Sequence, residues 1–275
     1  MKTLLLSLVF ALSAQASLAV DTQYAKVFAE AREQVKGNLG PQCKYTDVND
    51  IEAISILNQD SLDEDMNTNF DQFMVKVRQN GLLDIALLQN QDAIDSITGW
   101  TKTLVVDRKW ADQKEHCYLN AKEIFALMYY TGDGYRVINK ALRTDDQEMI
   151  AKELILLKHL NSAMDKIKPY EGYIKRGMGT PREPERYEQF MKDFAKGATI
   201  TMKGFTSTSV GKAFDGEVQF VIKARENCRY IADFSLYQNM GSAEEEVLCK
   251  HTARFKVLYH KVDGLNHQIY MEEIL

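Results

Sequence analysis

The chain has no surplus of positive charge: 34 Lys and Arg stand against 39 Asp and Glu in 275 residues, a formal charge of −5. That balance disfavours a nucleic-acid binder with a broad basic face, because such a face must neutralise phosphates with Lys and Arg. Cysteine is sparse, and Cys43, Cys117, Cys228 and Cys249 lie too far apart for a compact Cys-x-x-Cys zinc site. The histidines, His116, His159, His251, His260 and His267, show no His-Glu-x-x-His or equivalent spacing, so no metal is expected. Ser207 lacks the Gly-x-Ser-x-Gly elbow of a hydrolase nucleophile. Long apolar runs are scarce as well. The chain ends Tyr270-Met271-Glu272-Glu273-Ile274-Leu275, which weighs against a membrane-spanning or lipid-anchored C-terminus.

What is present is ordinary for a globular protein, with 45% hydrophobic and 27% charged residues. The length suits one large domain or two intimate ones. Met1-Lys2-Thr3, the apolar run Leu4 to Leu12, and the small residues Ala14, Ala16, Ser17 and Ala19 read as a secretory signal peptide over residues 1–19. A secreted protein is expected, in which the four cysteines would make two disulfides in one of three connectivities.

Residues 20–168 read as helical. Ile51, Ile54 and Leu57, then Phe70, Phe73, Met74 and Val77, fall at helical spacing. Further helices are expected over Leu119 to Tyr130, Tyr135 to Leu142 and Gln147 to Ile167, with a break at Gly132-Asp133-Gly134 and a stop before Pro169. From 169 to 275 the period changes to two. Strands are expected near Tyr173 to Arg176, Thr199 to Ser209, Val218 to Lys223, Arg229 to Phe234, Glu246 to Cys249, Phe255 to His260 and Gln268 to Ile274. The class is α+β, a helical N-terminal half packed on a mostly antiparallel half, in one folding unit and as a monomer.

Three stretches in the second half carry possible chemistry. Tyr173-Ile174-Lys175-Arg176-Gly177 places an arginine at a strand end beside a glycine. Gly204-Phe205-Thr206-Ser207-Thr208-Ser209 is a strand of hydroxyls. In Ser242-Ala243-Glu244-Glu245-Glu246-Val247-Leu248, the bulky Val and Leu favour a strand that turns Glu244 and Glu246 to one face. Glu245 then points away as a plain surface acid. Taken singly, each stretch reads equally as a solvated turn or an edge strand.

Taken in order, the three resemble the arginine, Ser-Thr-Ser and Glu-x-Glu signature of the mono-ADP-ribosyltransferases, which include clostridial binary-toxin enzymes and the extracellular arginine-specific transferases. The stretch from Phe125 to Arg143, Phe-Ala-Leu-Met-Tyr-Tyr-Thr-Gly-Asp-Gly-Tyr-Arg-Val-Ile-Asn-Lys-Ala-Leu-Arg, is similar to the family's Tyr-Thr helix end and its following Asn-x-Ala-Leu-Arg helix. The likeness runs from about Cys117 to Val262.

It implies a two-sheet NAD-binding core and transfer of ADP-ribose from NAD to an accessible arginine of a protein, with no metal. Arg176 would grip a phosphate and the adjoining ribose, Ser207 would orient the catalytic glutamate, and Glu246 would stabilise the sugar cation. Glu244, where related toxins that modify asparagine carry glutamine, implies an arginine acceptor. Gly177, Phe214, Ser235 and Tyr130 are the further NAD contacts implied. Hydrolysis of NAD by water and an inactive binding module are the alternatives. Between Ser235 and Glu244 no residue matches the family, and the first hundred residues match little of it.

Overall fold

A computed structural model describes residues 20–31, 72–75, 77, 91–102, 119–211, 215–236 and 245–275. The expected signal peptide, the Ile51 to Leu57 helix, Cys43, Cys117, Phe214 and Glu244 lie outside the described residues. Helix α1 spans 20–31 and α2 spans Gln91–Lys102. Next come α3 (Ala121–Tyr129), α4 (Tyr135–Thr144), α5 (Gln147–Lys166) and α6 (Pro184–Asp193). No helix among them is long and apolar enough to cross a membrane.

Capping sets the boundaries. Asn120 and Glu123 form a capping box at the start of α3, each side chain taking the other's backbone N–H. Asp145, in the left-handed conformation at φ 53°, ends α4, and Asp146 accepts from the amides of Glu148 and Met149 to begin α5. The break expected at Gly132-Asp133-Gly134 is present, since Gly132 leaves helical geometry between α3 and α4. A π-turn, Tyr130–Gly134, carries the chain through a kink at Gly132, where ψ reaches −113°.

The strands are β1 (Gly172–Met178), β2 (Thr199–Thr201), β3 (Thr206–Ser209), β4 (Val218–Ala224), β5 (Cys228–Tyr230), β6 (Glu246–Cys249), β7 (Arg254–Asp263) and β8 (Asn266–Ile274). They form one 8-stranded sheet in the order β2-β7-β8-β4-β1-β3-β6-β5. Neighbours are antiparallel except β4 and β8, which run parallel.

The expected pair of mostly antiparallel sheets is therefore corrected to a single mixed sheet. A single register pair, Lys175 with Ser209, joins the β1 side to the β3 side. Alternation reveals strands but not their neighbours, and it cannot show that β8 inserts parallel to β4. The sheet also bends on itself: Val218, Phe220, Ile222, Phe255 and Val257 from one half share a core with Tyr230, Val247 and Cys249 from the other.

Two further apolar clusters cover the remaining faces. Leu248 and Phe205 meet Tyr129, Tyr130, Phe125 and Leu160 of the helical layer, together with Phe73, Met74 and Val77. On the opposite side of β4, β7 and β8, α1 lays Tyr24, Phe28 and Ala31 on Val221, Tyr259 and Tyr270. Tyr24 stacks on Tyr259 with centroids 4.6 Å apart, and Tyr259 donates to Asp21 at 2.9 Å.

Other expectations also shift. The strand expected over Thr199 to Ser209 splits into β2 and β3, which lie far apart in the sheet. The one expected over Arg229 to Phe234 stops at Tyr230 and gives way to a 3₁₀ turn at Ala232–Phe234. Helix α6, with Pro184 at its start, is an element that the strand reading of this half passed over. Cys228 and Cys249, register partners on β5 and β6, form a disulfide.

One ion pair sits inside the helical layer. Lys166 Nζ donates to Glu123 Oε2 at 2.8 Å, with the two side chains 1% and 0% exposed. Ser162 Oγ donates to Oε1 at 2.6 Å and Asn120 N to Oε2 at 2.8 Å. Removing one partner leaves a buried charge uncompensated, so Lys166→Ala should lower the unfolding free energy by about 3–5 kcal/mol. The double variant Glu123→Leu/Lys166→Met should lose less than either single substitution, as read by urea unfolding.

A second buried polar group responds to pH. His260 Nδ1 lies 2.9 Å from Phe194 O and its Nε2 lies 2.8 Å from His267 Nδ1. A carbonyl only accepts, so the proton order runs from His267 Nδ1–H to His260 Nε2, and from His260 Nδ1–H to Phe194. His267 Nε2 is left as a buried acceptor without a hydrogen bond. Burial lowers the pKa of both rings. Their contribution is complete above an unfolded value of about 6.5 and is lost as pH falls through the depressed folded values. Amide protection factors at α6 and the β7–β8 hairpin, taken relative to the intrinsic exchange rate at each pH, should therefore fall between pH 7 and 5; a flat profile would contradict this.

Candidate active site

The site begins where two strands part. Beyond the Lys175 and Ser209 pair, β1 and β3 separate, and Arg176 bridges the gap by donating Nη1 to Ser207 O at 2.5 Å. Burial lowers the pKa of this guanidinium, and Tyr130 and Glu246 work in the opposite direction. On the far side of β3, Ser209 pairs with Glu246 and Ser207 with Leu248. Alternation along both strands puts Ser207 and Glu246 on the same face of the sheet.

The helical layer closes the site from above. Tyr130, 1% exposed, donates its phenol to Phe205 O at 3.2 Å and accepts from Asn139 Nδ2 at 3.0 Å. Asn139 Nδ2 also reaches Phe205 O at 3.1 Å. Burial pushes the Tyr130 phenol above its usual value, against hydrogen bonds from Asn139 and Ser207 and with the charge of Glu246 adding to the rise. The phenol is thus a neutral donor at any ordinary pH. Gly204 permits this approach: a Cβ there would lie 2.7 Å from Asn139 Oδ1 and 3.2 Å from Arg143 Nε.

These residues enclose a cleft of about 510 Å³. Of the expected site residues, Tyr130, Arg176, Gly177, Ser207 and Glu246 line it together. Ser235 is buried at 5% exposure, its Oγ has no hydrogen bond, and it is not among the described residues lining the cleft. Glu245 departs from its expected place as a plain surface acid. It is half-buried at φ 29°, with a carboxylate oxygen 2.3 Å from where a Cβ on Gly211 would sit. A left-handed residue breaks strand alternation, so β6 begins only at Glu246.

Sequence reading missed Tyr135, Arg136, Asn139 and Arg143, which also line the cleft. Arg136, Asn139 and Arg143 fall at i, i+3 and i+7, one face of α4, and that spacing was the available signal. Asp133 pairs with Arg136 at 3.4 Å. The remaining charged residues lining the cleft are Arg143, Arg176 and Glu246, with Arg176 close enough to feel both of the others. Such a cleft can grip a phosphate ester through forked donors while holding negative charge against a carbon that becomes cationic.

Comparison with known proteins agrees with this geometry. The profile of the family described as ADP-ribosyltransferase exoenzyme matches residues 107–274. A protein of Serratia proteamaculans named NAD(+)–protein-arginine ADP-ribosyltransferase Tre1 is 31% identical over 177 residues, 63% of this chain and 37% of that protein. Mav of Mycobacterium avium, named a putative NAD(+)–arginine ADP-ribosyltransferase, is 28% identical over 162 residues, 57% of this chain and 18% of that protein. The chain thus spans well under half the length of these relatives.

Two solved structures share the fold. The ADP-ribosyltransferase HopU1 of Pseudomonas syringae superposes with a TM-score of 0.53 at 17% identity, covering 65% of this chain and 87% of that one. The type III effector XopAI of Xanthomonas axonopodis gives 0.51 at 17% identity, covering 76% and 97%.

The packing at Gly204 is directly testable. Gly204→Ala should cost about 1–3 kcal/mol, because Asn139 is held by two hydrogen bonds and can yield little. Adding Asn139→Ala should remove most of the further penalty that the new methyl imposes. Urea unfolding of the four members of this cycle gives the coupling directly.

Proposed function

Since the chain belongs to the ADP-ribosyltransferase exoenzyme family, we propose that it transfers ADP-ribose from NAD to an arginine side chain of a protein and releases nicotinamide. The observation that carries this reading is the convergence of Arg176, Ser207, Tyr130 and Glu246 on one cleft. The names of the Serratia and Mycobacterium relatives support arginine as the acceptor. So does Glu244 in the sequence, two residues before Glu246.

The chemistry distributes as follows. The bond from C1′ of the ribose to the pyridinium nitrogen breaks, its electrons leave with nicotinamide, and C1′ becomes an oxocarbenium-like centre. Arg176 and Arg143 hold the pyrophosphate. Glu246 binds a ribose hydroxyl and sets its negative charge against the developing cation. Ser207 and Tyr130 keep that corner rigid, and Gly177 leaves its backbone open to the nicotinamide amide. A guanidinium nitrogen of the acceptor then bonds to C1′ and gives up a proton. Glu244 binds the acceptor guanidinium, which is otherwise always protonated, and takes that proton.

Phe214 stacks on the nicotinamide. The protein acts as a monomer after export, directed by residues 1–19. The Cys228–Cys249 disulfide suits an oxidising compartment.

Substitution separates the two carboxylates. Glu246→Gln should lower nicotinamide release and transfer together by about 10²–10³-fold or more. Glu244→Gln should lose transfer to arginine while keeping most NAD hydrolysis. Near wild-type nicotinamide release from Glu246→Gln would remove it from the mechanism. Incubation with labelled NAD and cell lysate, followed by mass spectrometry, identifies the modified side chain.

A further inference from the structure

We propose that Glu245 is a positioning residue for cleavage of the nicotinamide–ribose bond, acting on Glu246 through its left-handed backbone; this rests on the role read above for Glu246. Among the described residues only two that are not glycine have a positive φ, Asp145 at 53° and Glu245 at 29°. That region brings Cβ close to the carbonyl oxygen that follows and is left mainly to glycine, asparagine and aspartate. Asp145 ends a helix, where a left-handed residue is common. Glu245 ends no helix and stands at the entry to β6, whose first residue is Glu246.

The hydrogen bonds around it show what this turn holds. Glu245 O accepts the Val210 amide at 3.2 Å, which extends the β3–β6 ladder one rung past the Ser209 and Glu246 pair. On the other flank Glu246 O accepts the Ile231 amide at 2.9 Å, one residue beyond β5. Glu246 is thus tied on both sides, and the outermost tie belongs to Glu245. Forcing position 245 to an extended φ swings the preceding chain against the strand start, and the single rung to Val210 is the bond that gives. Glu246 would then sit on a frayed strand end.

The side chain of Glu245 takes no part in the cleft. Its carboxylate lies against Gly211, where an added Cβ would collide with Oε2, and that oxygen makes no hydrogen bond. Burial first, and then the charges of Asp233, Glu245 and Tyr170, push Tyr230 up to about 12. The charge of Glu246 is felt instead by Tyr130 and Arg176, in the cleft. The two adjacent carboxylates face different groups. With no polar anchor on the Gly211 side, the positioning resides in the backbone.

The test uses the full chain and NAD, with initial rates of nicotinamide release measured over a range of NAD concentrations. Glu245→Val, whose branched Cβ resists a positive φ, should lower kcat by about tenfold, the scale of the left-handed penalty. The KM for NAD should stay within about twofold, since Arg143 and Arg176 lie on other elements. Glu245→Gly and Glu245→Asn, which accept that backbone, should keep the wild-type kcat within about twofold. Gly211→Ala, which only pushes aside the end of the Glu245 side chain, should do the same. In Glu245→Val the protection factor of the Val210 amide should fall by about tenfold and recover in Glu245→Gly. Equal kcat in Glu245→Val and Glu245→Gly, or a loss in Glu245→Val that appears in KM alone, overturns the proposal. Wild-type nicotinamide release from Glu246→Gln overturns the reading of Glu246 and this proposal with it.

Discussion

Two backbone carbonyls, Phe205 just before β3 and Ser207 within it, hold the site together. β3 pairs fully with β6, yet it shares only the Lys175 and Ser209 pair with β1. On that side the carbonyls of Phe205 and Ser207 have no strand to accept from. Buried carbonyls require donors. Tyr130 and Asn139 supply them to Phe205, and Arg176 supplies one to Ser207. The side chains that satisfy the strand are the same ones that line the cleft, so the gap in the ladder and the site have one cause. Filling that gap with a longer β1–β3 ladder would leave no opening between the strands.

Much of this was legible in the residues, and the reasons for success and failure are local. Helix α5 appears in sequence through apolar residues at helical spacing because one face of it is buried, and α3 appears as a short, largely apolar run that is buried on nearly every side. β4 and β7 appear through alternation although both their faces are covered, Val221 and Tyr259 packing under α1 and a bulge between Val257 and Tyr259 shifting the register. Arg176, Ser207 and Glu246 were named from their spacing and family likeness, and the fold brings them to one cleft.

Sheet order and the β4–β8 parallel pair were not legible, since the period of two is silent about neighbours. Glu245 was misplaced because a positive φ in a non-glycine residue leaves no compositional mark. α4 escaped notice as a site element although its polar face carries Arg136, Asn139 and Arg143. A polar face reads as solvated until something, here the Phe205 carbonyl, is found opposite it.

Two of the buried polar groups away from the cleft show how differently such groups are stabilised. Glu123 collects Lys166, Ser162 and the Asn120 amide, so both of its carboxylate oxygens are met. The His260 and His267 pair stops one partner short, with the His267 Nε2 lone pair surrounded by Tyr187 and Phe190. The first group ties α3 to α5 under the site. The second lies between α6 and the β7–β8 hairpin, where a change of protonation has no direct route to Glu246.

Helix α1 bears on where the chain can be cut. The family likeness begins at residue 107, and a fragment trimmed to that span would discard 20–31. It would then carry Val221, Tyr259 and Tyr270 on an open sheet face, uncovered by Tyr24 and Phe28. A bare aromatic face of that kind invites self-association. A minimal catalytic fragment of this chain is therefore discontinuous in sequence: the twelve residues of α1 belong to the β core, whatever lies between them and residue 107.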